Sequence, residues 1–322
     1  MAKVTDTIDL TVQSNSIQLI PIKRKTMPAT YAYRLLNVFA ESTFGGNPLC
    51  VFEDARGLDD ATMLALALQF NLSETTFILP STVADARVRI FTTGYEMPFA
   101  GHPTLGSAHV VRDLLGCGDA LTLEFKAGVV PVQARGDIWT FTAPCPGGPR
   151  ITPAALSRAQ TAALLGLQES DLAGDPVWVD TGADQFLVPL KTPEAVRRAQ
   201  PDSSRLDQWP VSSLGRKTAY LFAFDPAEPG QVLSRYFFTK QGGGVAEDPG
   251  TGSACANLGA WLLANGHPLP ARHAIDQGAA VERPSRLYLD VSEEGAIRVG
   301  GRVIEIGRGT VSIEPVGRTL LA

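Results

Sequence analysis

The sequence predicts an α+β protein made of two related halves, and two observations support this: an internal repeat, and many short strands around apolar helices. The repeat aligns residues 89–108 with 235–254 without gaps, and eight of the twenty positions are identical. About one identity is expected by chance for average residue usage. Because such a repeat marks a duplicated structural unit, we predict halves at 31–146 and 147–322, joined near the Pro- and Gly-rich segment 144–149. The last strand can belong to the second half or return to the first.

Each copy of the repeat contains a short strand, a loop and a turn that opens an apolar helix. The pattern predicts helices over 103–115, ended by Gly116, and over 252–264. A third helix is predicted over 59–70, where an Asp at the start can cap it. Short apolar and β-branched runs indicate strands. The predicted strands are 34–40, 49–52, 75–79, 88–91, 121–125, 129–134, 139–142, 177–180, 186–190, 219–224, 234–238, 286–291, 296–299 and 303–306.

Composition excludes several classes of protein. The 322 residues carry 28 Lys and Arg against 33 Asp and Glu, a net charge of −5, so a nucleic-acid partner is not expected. No apolar run approaches the roughly 20 residues that span a bilayer, so we expect no membrane partner. Residues 1–30 lack the apolar core of a secretory signal and are predicted to be an extension without a readable role. The four dispersed cysteines favour a reducing cytoplasm.

Motifs for common cofactors are missing from the sequence. It has no G-x-G-x-x-G after a strand, no P-loop and no G-x-S-x-G, so we expect neither a dinucleotide nor a serine nucleophile. The four His and four Cys do not fall at ligand spacing, so no metal and no other cofactor is predicted. The glycines at 242–244 are interpreted as a flexible lip of a cleft rather than a phosphate loop.

The two repeated turns are candidate anion sites. A helix start presents unpaired backbone N–H groups and a partial positive charge, so two such starts can hold a small acid between them. In the ungapped alignment His102 of the first copy falls opposite Asp248 of the second. A His and an Asp in one site can exchange protons near neutral pH. A purely structural alternative exists for each residue, since both precede a Pro and can act as helix caps.

Glu74 is the third candidate. It lies in Asn-Leu-Ser-Glu-Thr-Thr-Phe, residues 71–77, where a predicted helix gives way to a strand. The N-x-x-E spacing is similar to a capping box, but it follows the helix, so capping explains it poorly. A solvated Glu at the start of a strand stays open as an alternative.

At these residues the sequence resembles the PhzF-like family, the phenazine-biosynthesis isomerases and their relatives, which share the diaminopimelate-epimerase fold. The resemblance covers about residues 31–315. It rests on five motifs in order: 44–48 (FGGNP), 71–77 (NLSETTF), 99–104 (FAGHPT), 247–254 (EDPGTGSA), and 277–278 (QG) followed by 283–285 (RPS). It implies a mixed sheet or barrel wrapped around a central helix in each half, and homodimers.

The resemblance also implies cofactor-independent proton transfer on a small cyclic or unsaturated carboxylic acid, such as trans-2,3-dihydro-3-hydroxyanthranilic acid. By this resemblance Glu74 is the general acid and base, and His102 and Asp248 hold and polarise the substrate. The residues implied for substrate binding are Asn47, Ser73, Gly101, Gly252 and Ser253.

Related epimerases and racemases use one cysteine at each helix start, and this sequence has Ala100 and Asp248-Pro249 there. Cys255 falls inside the second helix and is interpreted as a buried apolar residue. The repeat places Tyr220 opposite Glu74, so a single carboxylate on one face favours an isomerase. Two alternatives stay open: an epimerase or racemase that uses Glu74 with His102 or Asp248 as opposed bases, and a binding protein that keeps the fold without turnover.

Overall fold

The computed structural model describes residues 28–145, 147–240 and 243–314, which form five α-helices and seventeen strands. The helices are α1 (Asp60–Phe70), α2 (Gly101–Leu115), α3 (Arg158–Leu164), α4 (Pro193–Arg198) and α5 (Gly252–Ala264). The strands are β1 (Ala29–Val38), β2 (Asn47–Phe52), β3 (Glu74–Leu79), β4 (Ala86–Phe91), β5 (Glu96–Met97), β6 (Ala120–Phe125), β7 (Gly128–Arg135), β8 (Ile138–Thr142), β9 (Arg150–Pro153), β10 (Val177–Asp180), β11 (Asp184–Pro189), β12 (Thr218–Phe224), β13 (Gln231–Thr239), β14 (Val245–Asp248), β15 (Ala271–Gln277), β16 (Ser285–Val291) and β17 (Ile297–Ile313).

The first half is a closed barrel around α2. Its strands follow the order β1, β2, β3, β4, β6, β7, β8 and β17, and β17 pairs back with β1. Helix α2 contacts β2, β3, β4, β6 and β8, and its side chains Leu105, Ala108, Val110 and Val111 are buried. A helix that is apolar on most of its surface needs such an enclosure. The barrel therefore fixes where α2 begins.

The second half repeats this connectivity. In the first half, α1 lies along the chain between the parallel strands β2 and β3, and α2 lies between the parallel strands β4 and β6. In the second half, α4 lies between the parallel strands β11 and β12, and α5 lies between the parallel strands β13 and β15. Helix α5 packs against β9, β10, β11 and β16. Helices α3 and α4 contribute to a second apolar cluster of this half, which includes Leu164, Val196 and Trp209. The predicted α+β fold with two similar halves around central helices is confirmed.

Strand β17 belongs to both halves, because it pairs with β16 on one side and with β8 and β1 on the other. The two predicted strands 296–299 and 303–306 are wrong as separate elements, since one strand runs from Ile297 to Ile313. The glycines between them do not break it. A Cβ on Gly300 would lie 2.5 Å from Thr140 Oγ1, and one on Gly301 would lie 2.4 Å from the Phe39 ring. These glycines thus allow a close approach of neighbouring groups.

The predicted helices are found with small shifts. Helix α5 has its predicted bounds, α1 begins behind Asp59, whose carboxylate accepts from Thr62 N, and α2 begins two residues before the predicted Pro103. Gly116 ends α2 in a left-handed conformation. The sequence pattern does not predict α3, α4, β5, β9, β14 or β15, which are short or rich in polar residues.

Some sequence predictions fall outside the described residues, namely the extension up to residue 27 and the Gly at 242. Across the described residues, every helix is too short or too polar to span a membrane.

Candidate active site

The starts of α2 and α5 touch at two glycines. A Cβ on Gly101 would lie 2.8 Å from the Gly252 Cα, and a Cβ on Gly252 would lie 3.1 Å from the Gly101 Cα. The residues before them, Ala100 and Thr251, cap neither helix with a side chain. The first N–H groups of both helices are therefore left for another partner, and two such starts side by side favour an anion.

Glu74 and His102 meet beside these helix starts. Glu74 is the first residue of β3, reached through a left-handed turn at Asn71 that ends α1, and His102 is the second residue of α2. The His102 Nε2 lies 3.4 Å from the Glu74 Oε2. Both atoms are buried without a hydrogen-bond partner among the described residues. Buried polar atoms are nearly always paired in folded proteins, so this pair is the centre of the candidate site.

Burial sets the protonation of this pair. It raises the pKa of Glu74 to about 8, helped by the charge of Asp248 and opposed by that of Arg216. Burial lowers the pKa of His102 to about 3, with the Pro48 backbone opposing. Removal from water disfavours the charged form in both cases. Near neutral pH the free site thus holds a neutral imidazole and a carboxyl group that can give or take a proton.

Asp248, at the end of β14, is held by three neighbours. Its carboxylate accepts from Asn47 Nδ2 at 2.9 Å and from Thr251 Oγ1 at 2.5 Å, and its backbone carbonyl accepts from Gln277 Nε2 at 2.8 Å. Burial raises the pKa of Asp248 to about 6, while the bonds from Thr251 and Asn47 oppose the rise. Charge-assisted hydrogen bonds of this kind hold a carboxylate in place. Asp248 can therefore carry a negative charge at neutral pH.

The ungapped alignment of the repeat pairs His102 with Asp248, and this correspondence is wrong. In the β4–β5 hairpin four residues separate the paired Phe91 and Glu96, whereas nine separate the paired Phe237 and Glu247 of β13–β14. Because the second hairpin is five residues longer, a correct alignment of the two halves needs a five-residue gap there, and every later residue has a different counterpart. By strand pairing and helix starts, the counterpart of Asp248 is Met97, and that of His102 is Ser253.

The counterpart of Glu74 in the second half also differs from the one that the ungapped alignment gives. Thr75 pairs with Phe91 in the first half, and Ala219 pairs with Phe237 in the second, so the counterpart of Glu74 is Thr218 rather than Tyr220. The conclusion drawn from the repeat is unchanged, because Thr218 cannot serve as a second carboxylate.

The remaining predicted binding residues take different positions. Asn47 opens β2 and donates to Asp248 Oδ1 and to the Gly250 carbonyl, each at 2.9 Å, while its own Oδ1 is buried without a partner among the described residues. Ser253 is half-buried at the start of α5 and accepts from Gln185 Nε2 at 2.8 Å. Ser73 is exposed in the turn before β3. The structure thus brings Asn47 to Asp248 and leaves Ser73 at the surface.

Arg283 holds the loop that precedes β2. Its Nε donates to the Gly46 carbonyl at 3.0 Å, and its Nη2 donates to Asn37 Oδ1 at 2.6 Å and to the Gly45 carbonyl at 3.0 Å. A Cβ on Gly45 would lie 2.6 Å from the Pro284 carbonyl oxygen. Two of the sequence motifs, FGGNP and RPS, therefore form one structural unit that sets the position of Asn47.

Sequence reasoning did not find Arg216. It follows a turn in which Ser212 N donates to the Arg216 carbonyl at 2.7 Å, and its Nε and Nη2 are buried without partners among the described residues. Its charge lowers the pKa of Glu74 and of Tyr236, whose strand neighbour is Asp248. A single arginine in a polar loop gives no signal in one sequence. It adds a cation beside the carboxyl groups.

The residues at the two helix starts, 100–102 and 251–253, include no cysteine. Cys50 in β2 and Cys255 in α5 are fully buried, and burial raises the pKa of both thiols. The thiolate is the reactive form. The interpretation of Cys255 as a buried core residue is confirmed, and neither buried thiol is poised for acid–base work.

Residues 36–309 match the PhzC-PhzF family, described as phenazine biosynthesis-like proteins. The chain belongs to this family. It is 41% identical over 289 residues to the uncharacterized isomerase PM1503 of Pasteurella multocida, a match that covers 89% of this chain and 96% of the relative. It is 33% identical over 288 residues to the trans-2,3-dihydro-3-hydroxyanthranilate isomerase of Pseudomonas aeruginosa, covering 87% and 98%.

A solved structure agrees with this assignment. A predicted epimerase from Pseudomonas aeruginosa, PA4716, superposes with a TM-score of 0.72 at 32% identity and covers 87% of this chain and 99% of that one. The chain is thus a PhzF-like isomerase by family, as its sequence motifs predicted.

Proposed function

We propose that this PhzF-like protein moves a proton between two carbons of a small cyclic or unsaturated carboxylic acid, with Glu74 as the proton carrier. The observation that carries the proposal is the buried Glu74 carboxyl group, whose Oε2 has no hydrogen-bond partner in the part of the chain that the structure describes and whose pKa is raised to about 8. A general acid or base works best when its pKa lies near the operating pH. The side chain can therefore both take and return a proton.

The reaction proceeds on one face of the substrate. The carboxylate of Glu74 takes a proton from one carbon, the electron pair shifts through the adjacent double bond, and the carboxyl group returns the proton to the second carbon. Glu74 ends in the form in which it began, so the step consumes no co-reactant. The neutral His102, 3.4 Å from Glu74, offers a polar contact to the substrate without competing for the proton.

The rest of the site holds the substrate by charge. The open N–H groups at Gly101, Gly252 and Ser253 suit its carboxylate. Asp248, charged at neutral pH, suits an amino or hydroxyl group that donates to it. An amino acid or hydroxy acid of the kind named for the Pseudomonas aeruginosa relative, trans-2,3-dihydro-3-hydroxyanthranilate, has both features.

Epimerisation is the second candidate, because the similar solved structure is titled a predicted epimerase. Inversion at a carbon needs an acid and a base on opposite faces. The counterpart of Glu74 in the second half is Thr218, and the buried thiols have raised pKa values. Asp248 is the remaining carboxylate beside Glu74 and would have to act as the second base. A binding protein without turnover is the third candidate, and the raised pKa of Glu74 argues against it.

Proton NMR in D₂O tests the proposal, with trans-2,3-dihydro-3-hydroxyanthranilic acid as the trial substrate. We expect conversion, with deuterium at the receiving carbon in those turnovers in which the Glu74 carboxyl group exchanges with D₂O before it returns the proton. Glu74→Gln should give no conversion and unchanged binding of the acid. Exchange of a proton with inversion and without double-bond migration would favour the epimerase. Binding without any exchange, for this acid and for other small unsaturated acids, would favour the binding protein.

Two finer points from the sequence stay predictions. A cytoplasmic location is supported by four free cysteines in the described residues. Homodimer formation follows from the family resemblance, and light scattering after size-exclusion chromatography measures it directly.

A further inference from the structure

Ser253 has one hydrogen-bond partner whose role can be read from the structure. Its Oγ lies 2.8 Å from Gln185 Nε2. Gln185 is 1% exposed, whereas Ser253 is half-buried at the start of α5, beside Gly101. A hydroxyl group can donate one hydrogen bond and accept others. The direction of the Gln185–Ser253 bond therefore decides what Ser253 can offer to a ligand.

The direction is set by Asn257, one turn further along α5. Its Oδ1 accepts from the Thr181 backbone N–H at 2.9 Å and from Thr181 Oγ1 at 2.7 Å. Its Nδ2 donates to the Ala183 carbonyl at 2.9 Å and to Gln185 Oε1 at 2.9 Å. A backbone N–H only donates and a backbone carbonyl only accepts, so the main chain fixes both ends of this amide.

The orientation of the Asn257 amide in turn determines the orientation of the Gln185 amide. Because Asn257 donates to Gln185 Oε1, the other end of the Gln185 amide is the NH₂ group, and it donates to Ser253. Ser253 must accept this bond. The hydroxyl proton of Ser253 is then available to a bound ligand. A ligand atom that only accepts, such as a carboxylate oxygen, matches this proton and the neighbouring N–H groups of the helix starts.

We propose that Gln185 and Asn257 are positioning residues that hold Ser253 as a hydrogen-bond donor to the carboxylate of the substrate. This rests on the proposed function only in taking the ligand to be an acid bound at the starts of α2 and α5. The network selects carboxylic acids over their amides, since an amide NH₂ group would meet a second donor. Each amide nitrogen and oxygen of Asn257 and Gln185 has a hydrogen-bond partner, and a buried network paired in this way is rigid.

The test replaces Gln185 by Glu, which has the same shape and only accepts when charged. Its carboxylate still accepts from Asn257 and now takes the proton of Ser253, so the donor to the ligand is lost. We expect the Kd of trans-2,3-dihydro-3-hydroxyanthranilic acid, measured calorimetrically in the Glu74→Gln background, to rise about tenfold at pH 8, the effect of one charge-assisted hydrogen bond. Lowering the pH protonates the new carboxyl group, which then donates as Gln does, and the Kd returns toward its starting value.

Two controls separate positioning from a structural defect. In a Ser253→Ala background, Gln185→Glu should change the Kd less than twofold, because the hydroxyl through which it acts is gone. Gln133→Glu adds the same charge at an exposed position of β7 and should change nothing. An equal loss of affinity with and without Ser253, or a loss independent of pH, would overturn the proposal.

Neutron diffraction of the perdeuterated, ligand-free protein locates the deuteron of the Ser253 hydroxyl group directly. We expect the Ser253 deuteron to point away from Gln185 in the unchanged chain and toward residue 185 in Gln185→Glu. A deuteron directed at Gln185 in the unchanged chain would refute the positioning role even if the acid proved not to bind. Isomerase activity is decided separately by the NMR experiment, so the two proposals fail independently.

Discussion

Replacing Glu74 by Gln should make the protein more stable, and more so as the pH rises. The ordinary pKa of a Glu is 4.5, and burial raises that of Glu74 to about 8. Between these values the folded chain keeps a proton that the unfolded chain has released. The free energy of unfolding contributed by this group is therefore present at low pH and is lost as the pH rises through about 8, at up to about 1.4 kcal/mol per pH unit.

The Gln variant has no such proton and does not lose this stability. Its side chain has nearly the same shape, and the native side chain is 15% exposed. Allowing for that exposure, we expect the advantage of the variant to grow by about 2 kcal/mol between pH 5.5 and 7.5, roughly 1 kcal/mol per pH unit. Turnover should be lost over the same range, since the proposed proton carrier is gone.

Urea unfolding, followed by tryptophan fluorescence at both pH values, measures this difference. The matched control is Glu228→Gln, an exposed carboxylate, which should follow the unchanged protein at every pH. A Glu74→Gln advantage that is the same at pH 5.5 and 7.5 would refute the raised pKa, and with it the argument that Glu74 is poised for proton transfer.

Three further substitutions probe the architecture of the site. Gly101→Ala places a methyl group 2.8 Å from the Gly252 Cα and should lower the free energy of unfolding by about 1–3 kcal/mol in urea titrations, with loss of ligand affinity. Arg216→Met removes the cation that lowers the pKa of Glu74, so that pKa should rise and the acidic limb of the pH–rate profile should move to higher pH. Arg283→Leu removes three hydrogen bonds to the loop before β2 and should cost about 2–4 kcal/mol by the same titrations.

The central elements of the fold could be predicted because their signals are local. Helices α1, α2 and α5 combine an apolar face with a clear start or stop, such as Asp59 or Gly116. The short strands β5 and β14 could not, because they are held by pairing with β4 and β13 rather than by their own composition. Strand β17 was split at Gly300 because local reasoning takes glycine as a break, whereas here it allows a close approach to β8.

The site could be predicted in its residues but not in its geometry. Glu74, His102 and Asp248 were singled out from motifs, and the structure places His102 against Glu74, with Asp248 near enough to raise the Glu74 pKa. Arg216 could not be found from the sequence, because its importance comes from the burial of Nε and Nη2 without partners within the described ranges, which is a property of the folded chain. The ungapped repeat also could not show the longer hairpin that changes which residues correspond.

The corrected correspondence explains how one duplicated fold can serve a one-sided reaction. The conserved feature of the two halves is the helix start at a glycine, Gly101 and Gly252, which supplies backbone N–H groups from both sides. The next residue differs: His102 in the first half contacts Glu74, whereas Ser253 in the second is held by Gln185. Under the two proposals, the first half presents the group that moves a proton, and the second presents a fixed donor. A symmetric pair of acid and base groups would suit inversion, while this division of roles suits migration of a proton along one face.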